Sequence, residues 1–275
     1  MKITIVGLGL IGGSLAKTIK KYTNHTVNGI DTNPETVELA LSQGAIDTSI
    51  DDTRESDITF VCLYPEATVE YILTHEFKKA SVVADVCGVK RYIIDKCDSY
   101  LHSKGVHLVA CHPMAGREFS GFEYSLDTLF DTASFIITPT SLSSEKCVNM
   151  IEDLAYAMHF KKVVRATPDE HDDIIAFTSQ LAHIVSSAYI KSPTHLRQLG
   201  FSAGSFLDLT RVAKLNEDMW TPLFIANKDA LSREIGEIIS HLTEYKECLE
   251  QETPARLHRL LRDGRILKEE TDVIL

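Results

Sequence analysis

The 275-residue chain is 44% hydrophobic and 24% charged, the ordinary balance of a soluble globular protein at a length where one core usually splits into two domains. A formal charge of −11 argues against a nucleic-acid surface and against anionic membranes, although local arginines can still hold an anionic substrate at contact distance. Six cysteines without a CxxC pair fit a reducing compartment, and neither a signal peptide nor an apolar run of about 18 residues stands out, so a cytoplasmic protein without a membrane partner is expected.

The chain opens with an apolar strand, Ile3–Val6, that runs into Gly7-Leu8-Gly9-Leu10-Ile11-Gly12 and a helix over Ile11–Lys21. A second strand, Thr26–Ile30, ends at Asp31, about 20 residues beyond the last motif glycine. Strand, glycine turn, helix, strand and acid at this spacing form a dinucleotide fingerprint. Gly7 allows the turn, Gly9 lets a pyrophosphate approach the backbone, and Gly12 lets the helix pack on the strand. The free N–H groups at the helix start favour phosphate. Asp31 would accept from the adenosine ribose hydroxyls and repel a 2′-phosphate. No Arg or Lys in Thr32-Asn33-Pro34-Glu35 would neutralise that phosphate, so NAD is expected rather than NADP. The plainer alternative is a structural glycine turn.

Strands at Ile58–Leu63, Val82–Val86, His107–Ala110 and Ser134–Thr138 then alternate with helices at Pro34–Gln43, Glu66–Glu76, Arg91–Lys104 and Glu145–Met158. That alternation predicts an α/β Rossmann-type doubly wound domain over residues 1–164 with a parallel sheet. Beyond it the strand signal stops. Thr167-Pro168-Asp169-Glu170 is a capping box that opens a helical stretch through Lys191. Further helices are expected from near Leu207, over Pro222–Glu250 and over Pro254–Glu270. Residues 165–275 therefore read as an all-α domain that packs against a second subunit.

Several residues could carry chemistry. His112, in Ala110-Cys111-His112-Pro113-Met114-Ala115-Gly116-Arg117-Glu118, follows a strand where open α/β sheets bind ligands. A histidine there suits acid or base work near neutral pH, or it is a structural loop residue. A metal on His107, Cys111 and His112 is disfavoured, because 107 and 111 share one strand face and 112 the other. His183, amid small and apolar residues, reads first as a core histidine. Arg211 either pairs with Asp208 on a helix surface or clamps a carboxylate in a bidentate fork. Trp220, the one tryptophan, reads first as a packing residue.

Together these stretches resemble the prephenate dehydrogenase family. The resemblance rests on residues 7–14 (GLGLIGGS), 85–90 (DVCGVK), 112–118 (HPMAGRE), 179–183 (SQLAH) and 204–211 (GSFLDLTR), with Met219-Trp220. It implies NAD-dependent oxidative decarboxylation of prephenate to 4-hydroxyphenylpyruvate in tyrosine biosynthesis, by a homodimer joined through the helical domain. By the resemblance, His112 is the catalytic base. Substrate lies against His183, Gly204, Arg211, Arg117 and Trp220. The cofactor lies against Gly7, Gly9, Leu10, Ile11, Gly12, Asp31, Leu63 and Cys87, and no metal is implied. Arg117 either adds charge for a dianionic substrate or pairs with Glu118. The chain departs from the family at Gly88, where many members carry a serine that orients the histidine. Cys87, a water or the backbone would have to substitute, or the contact is absent. Arogenate dehydrogenase is the nearest alternative. Another dehydrogenase with a Rossmann and an α-domain, or a non-catalytic NAD sensor, is further off.

Overall fold

A computed structural model describes residues 1–117 and 119–274, Ile274 by its backbone alone. β1 (Lys2–Val6), α1 (Leu10–Tyr22), β2 (Thr26–Ile30), α2 (Pro34–Ser42), β3 (Ile58–Val61), α3 (Pro65–Thr74), β4 (Val82–Asp85), α4 (Arg91–Ser103) and β5 (His107–Leu108) build a parallel sheet. Its order is β2-β1-β3-β4-β5. β3 and β4 are buried at every residue, which is why they read as largely apolar, with Thr59 and the terminal Asp85 the polar exceptions. α2 starts where Asn33 Oδ1 accepts the Glu35 N–H at 3.0 Å and Pro34 occupies the first helical position. The strand order reverses between β1 and β3, so the glycine turn after β1 sits at the switch point of the sheet.

The three motif glycines divide their work as the spacing predicts. Gly7 has φ +87°, a left-handed conformation that suits glycine. A Cβ on Gly12 would lie 1.9 Å from the Gly7 carbonyl oxygen, so α1 approaches β1 as closely as backbone allows. A Cβ on Gly9 would meet nothing within 4 Å, which leaves that face of the turn open.

The chain does not form one continuous sheet. Val109 still donates its N–H to Val83 O at 2.9 Å. The next residues then join a second sheet of β6 (Ala110–Pro113), β7 (Ser134–Thr138) and β8 (Lys162–Arg165), in the order β6-β7-β8, with α5 (Glu145–Ala157) between β7 and β8. β6 and β7 are antiparallel, β7 and β8 parallel. The expected strand His107–Ala110 is thus split, and His112 lies on a strand paired with Ile136 rather than on a loop. The apolar run hid the step because both sheets share one core. Ile3, Ile5 and Phe60 pack in the same cluster as Phe130, Phe135 and Ile137. β8 escapes sequence reading because it is short, only partly buried and bounded by Lys162 and Arg165.

α6 (Pro168–Ile175) starts at Thr167, whose hydroxyl accepts the Glu170 N–H at 3.2 Å. A wide π-helical turn, Ala176–Leu181, joins it to α7 (Ala182–Ile190). α8 (Gly204–Thr210) and α9 (Glu217–Ala226) follow. A helix expected to begin at Pro222 begins instead at Glu217. Asn216 caps it by accepting the Met219 N–H at 3.0 Å, and Glu217 and Asp218 favour the first turn, so Pro222 lies inside the helix. α10 (Lys228–Glu250) and α11 (Pro254–Ile274) complete the chain. Contacts group Met1–Asn227 into one compact unit and Lys228–Leu275 into another. The division expected at residue 164 falls within β8, inside the first unit.

Substituting Gly12→Ala forces backbone against backbone and should lower unfolding stability by at least the roughly 1–3 kcal/mol of an overpacked core. Gly9→Ala should leave stability within about 0.5 kcal/mol of the parent, as for a surface change. Urea unfolding of the two variants checks the contrast.

Candidate active site

The site is built where the two sheets meet. Asp85 ends β4 and Lys90 precedes α4; both side chains are fully buried and paired through Asp85 Oδ2. Lys90 Nζ also donates to the Cys111 carbonyl on β6. Asp85 Oδ2 further accepts the Cys87 N–H at 3.1 Å. The loop between β4 and α4 is thereby tied to the strand that carries His112. Burial raises the Asp85 pKa, and the Lys90 cation opposes the rise.

His112 is partly buried, and its Nδ1 lies 2.9 Å from His171 Nε2 on α6. His171 Nδ1 lies 2.7 Å from Asp172 Oδ1. The Asp172 carboxylate also accepts the N–H groups of Lys90 and Arg91, at 2.8 and 3.0 Å, and so caps α4. Its backbone carbonyl accepts from Asn227 Nδ2 at 2.9 Å, and the same amide donates to Gln180 Oε1 in the π-turn at 2.9 Å. Burial, then the neighbouring His171, then the Lys90 cation hold the His112 pKa well below the ordinary histidine value. Burial likewise lowers His171, with Asp172 opposing. His112 is therefore neutral at physiological pH.

The other ring edge of His112 faces Gly88. A Cβ placed on Gly88 would lie 3.9 Å from both Cε1 and Nε2 of His112 and 3.6 Å from Leu223 Cδ2 on α9. Cys87 does not take over a serine's part, because its thiol is buried against Thr68 Oγ1 at 3.4 Å and the Leu63 carbonyl at 3.5 Å. One turn before Leu223, Trp220 packs against His183 with ring centroids 4.1 Å apart and the planes tilted by 45°. His183 Nδ1 is 3.0 Å from the Val212 carbonyl, which accepts its N–H. Val212 adjoins Arg211, which stands exposed at the end of α8. α9 thus links the His112–Gly88 edge with His183 and the Arg211 segment.

At the glycine turn, Asp31 Oδ2 accepts the Leu8 N–H at 2.7 Å and Oδ1 the Asn33 N–H at 2.9 Å. These contacts tie the acid to the glycine turn and leave each oxygen further accepting capacity.

Residues 15–164 match the profile of the prephenate dehydrogenase nucleotide-binding domain, and residues 167–263 that of the prephenate dehydrogenase dimerization domain. The chain belongs to the prephenate dehydrogenase family. It is 30% identical over 278 residues to a prephenate dehydrogenase of Bacillus subtilis, covering 96% of this chain and 74% of that one. Its fold is similar to the crystal structure of prephenate dehydrogenase from A. aeolicus in complex with hydroxyphenyl propionate and NAD+. That match has a TM-score of 0.88 and 27% identity, and covers 98% of each chain. It is also similar to Synechocystis arogenate dehydrogenase, with a TM-score of 0.83, 25% identity and coverage of 98% of this chain and 100% of that one.

Family membership does not bring every expected residue together. Arg117 donates to the Tyr124 carbonyl at 3.3 Å and lies over the Phe119 ring at 5.8 Å. Its expected pairing with Glu118 lies outside the described residues. Gly204 is exposed at the first position of α8. Leu10 and Ile11 form the first turn of α1, and Leu63 lies in the loop after β3. Sequence reasoning missed His171, Asp172 and Leu223 as site residues. His171 and Asp172 sit in an acidic helix start that reads as capping alone. Asp85 and Lys90 did carry a signal, an acid ending an apolar strand and a lysine soon after it.

Lys90→Met removes the cation and leaves Asp85 buried alone. Loss of one partner of a buried pair typically costs about 3–5 kcal/mol. Chemical denaturation should show a loss of that size, larger than for any exposed lysine such as Lys2.

Proposed function

We propose that this protein catalyses NAD-dependent oxidative decarboxylation of prephenate to 4-hydroxyphenylpyruvate. The observation that carries the reading is a neutral His112 whose Nδ1 is held by His171 while its Nε2 edge faces Gly88, which has no side chain to cover it. The A. aeolicus relative is described with NAD+ and hydroxyphenyl propionate. That ligand shares a hydroxyphenyl ring and a carboxylate tail with the product, without its ketone. The residues present suit the dinucleotide. Gly9 offers its backbone without a Cβ, α1 presents its N-terminus, and Asp31 suits ribose hydroxyls while opposing a 2′-phosphate. Leu10, Ile11, Leu63 and Cys87 complete the proposed cofactor contacts.

When bound, NAD+ supplies the acceptor for the hydride that leaves ring C4. His112 Nε2 takes the proton of the C4 hydroxyl as carbonyl character develops there. The C1–carboxylate bond then breaks, its electron pair enters the ring, and CO₂ leaves. His112 returns the proton to the phenolate oxygen, so the base is regenerated. Arg211 is the candidate for holding a substrate carboxylate, with His183, Trp220, Gly204 and Arg117 around it. Residues 1–164 are proposed as the dinucleotide part and 165–275 as the substrate and dimer part. Leu196, Leu199 and Phe201 are 81%, 85% and 90% exposed, an apolar surface that favours a homodimer through the helical part. Arg211 then acts within its own subunit or across that interface. Six free thiols favour a cytoplasmic location.

The deciding assay follows NADH formation with prephenate and with arogenate at equal concentration, each with NAD and with NADP. Prephenate with NAD should give the highest kcat/KM. A clear preference for arogenate would replace the substrate while keeping the chemistry.

His112→Asn should lower kcat by about 10²–10⁴-fold, the usual worth of a general base, with NAD binding by calorimetry little changed. Because a base must be neutral, and the His112 pKa is held low, kcat/KM should stay level as pH falls through the ordinary histidine range. It should drop only at more acidic pH. Arg211→Ala should raise KM for prephenate by about 10-fold or more, as loss of a charged hydrogen bond of roughly 1.5–3 kcal/mol implies, with KM for NAD nearly unchanged.

A further inference from the structure

The buried chain behind His112 is polar throughout, and each member restricts the next. A carboxylate can only accept, so the proton between Asp172 Oδ1 and His171 Nδ1 belongs to His171. A neutral His171 then has a bare Nε2. The 2.9 Å contact to His112 Nδ1 consequently places a proton on His112 Nδ1 and leaves His112 Nε2 bare. Nε2 is the edge that faces Gly88. The opposite arrangement would need a cationic His171. Burial and the nearby Lys90 cation disfavour that state.

We infer that His171, anchored by Asp172, is a positioning residue that fixes neutral His112 in the Nδ1–H tautomer and so keeps the Nε2 lone pair available for the substrate hydroxyl proton. The inference rests on the reading of His112 as the base. The anchoring is redundant by construction. Asp172 is held through its carboxylate by the Lys90 and Arg91 N–H groups and through its carbonyl by Asn227, itself bonded to Gln180. His171 itself is 2% exposed, so water does not compete for its ring nitrogens. With glycine at position 88, that position offers no side chain to orient His112 from the substrate side. The burden of orientation therefore falls on the buried side.

The test reads the tautomer directly and then the rate. In full-length protein labelled with ¹⁵N-histidine, assigned by comparison with His112→Asn, His112 should show a protonated Nδ1 and a bare Nε2. His171→Gln keeps an acceptor oxygen toward His112 and should keep that tautomer, with kcat within about fivefold of the parent. His171→Leu has no acceptor. His112 should shift toward the Nε2–H form, and kcat should fall by about 10–100-fold, a loss typical of supporting contacts behind a reactive group. KM for prephenate should change by less than about twofold. A bare Nδ1 on His112 in the parent protein overturns the inference and needs no variant. So does His171→Leu with unchanged kcat. The tautomer signal does not depend on turnover, so it separates failure of this inference from failure of His112→Asn to lower activity, which would remove the base itself.

Discussion

The site depends on one buried ion pair. Lys90 and Asp85 are both inaccessible to solvent, and Lys90 Nζ also reaches the Cys111 carbonyl. Burying two charges is costly, and the pair persists because each partner finds further hydrogen bonds, from the Cys87 N–H to Asp85 and from Lys90 to the strand. The geometric gain is specific. β4 belongs to the parallel sheet and β6 to the second sheet. Lys90 holds the ends of both at a fixed separation, and His112 is the next residue along β6.

The same cation has an electrostatic effect. His112 sits close enough to Lys90 for its protonated form to be disfavoured, and burial works in the same direction. A histidine with an ordinary pKa would be partly charged near neutral pH. Here the interior keeps the ring neutral, while the His171–Asp172 arm gives its Nδ1 a partner. Asp172 also caps α4, the helix that Lys90 precedes. Helix start, ion pair and base therefore form one connected unit, and a change at any member reaches the others through direct contacts.

Much of the fold is legible in the sequence where a local rule decides. β2 and β7 lie over the expected residues Thr26–Ile30 and Ser134–Thr138, and α1 to α5 differ from expectation only at their ends. The misreadings have a common cause. The step at Val109 from one sheet to the other is invisible because an apolar run serves either sheet equally well. The start of α9 is set by the Asn216 cap and the acids Glu217 and Asp218, so Pro222, which reads as a helix start, lies inside the helix instead. β8 has too few buried residues to give a periodic signal.

The sequence by itself determined the glycine turn, the acid beyond it and the family landmarks around His112, because those features answer to constraints within a few neighbouring residues. A left-handed φ at Gly7 and a backbone contact at Gly12 exclude other side chains whatever the rest of the chain does. Only the tertiary structure decided what holds His112. Its partner His171 lies 59 residues away, on a helix start that looks like a capping box, and Leu223 reaches the same site from α9. Hydrogen bonds between distant side chains leave no periodic trace in a sequence, since they follow from how helices and sheets pack rather than from any local preference.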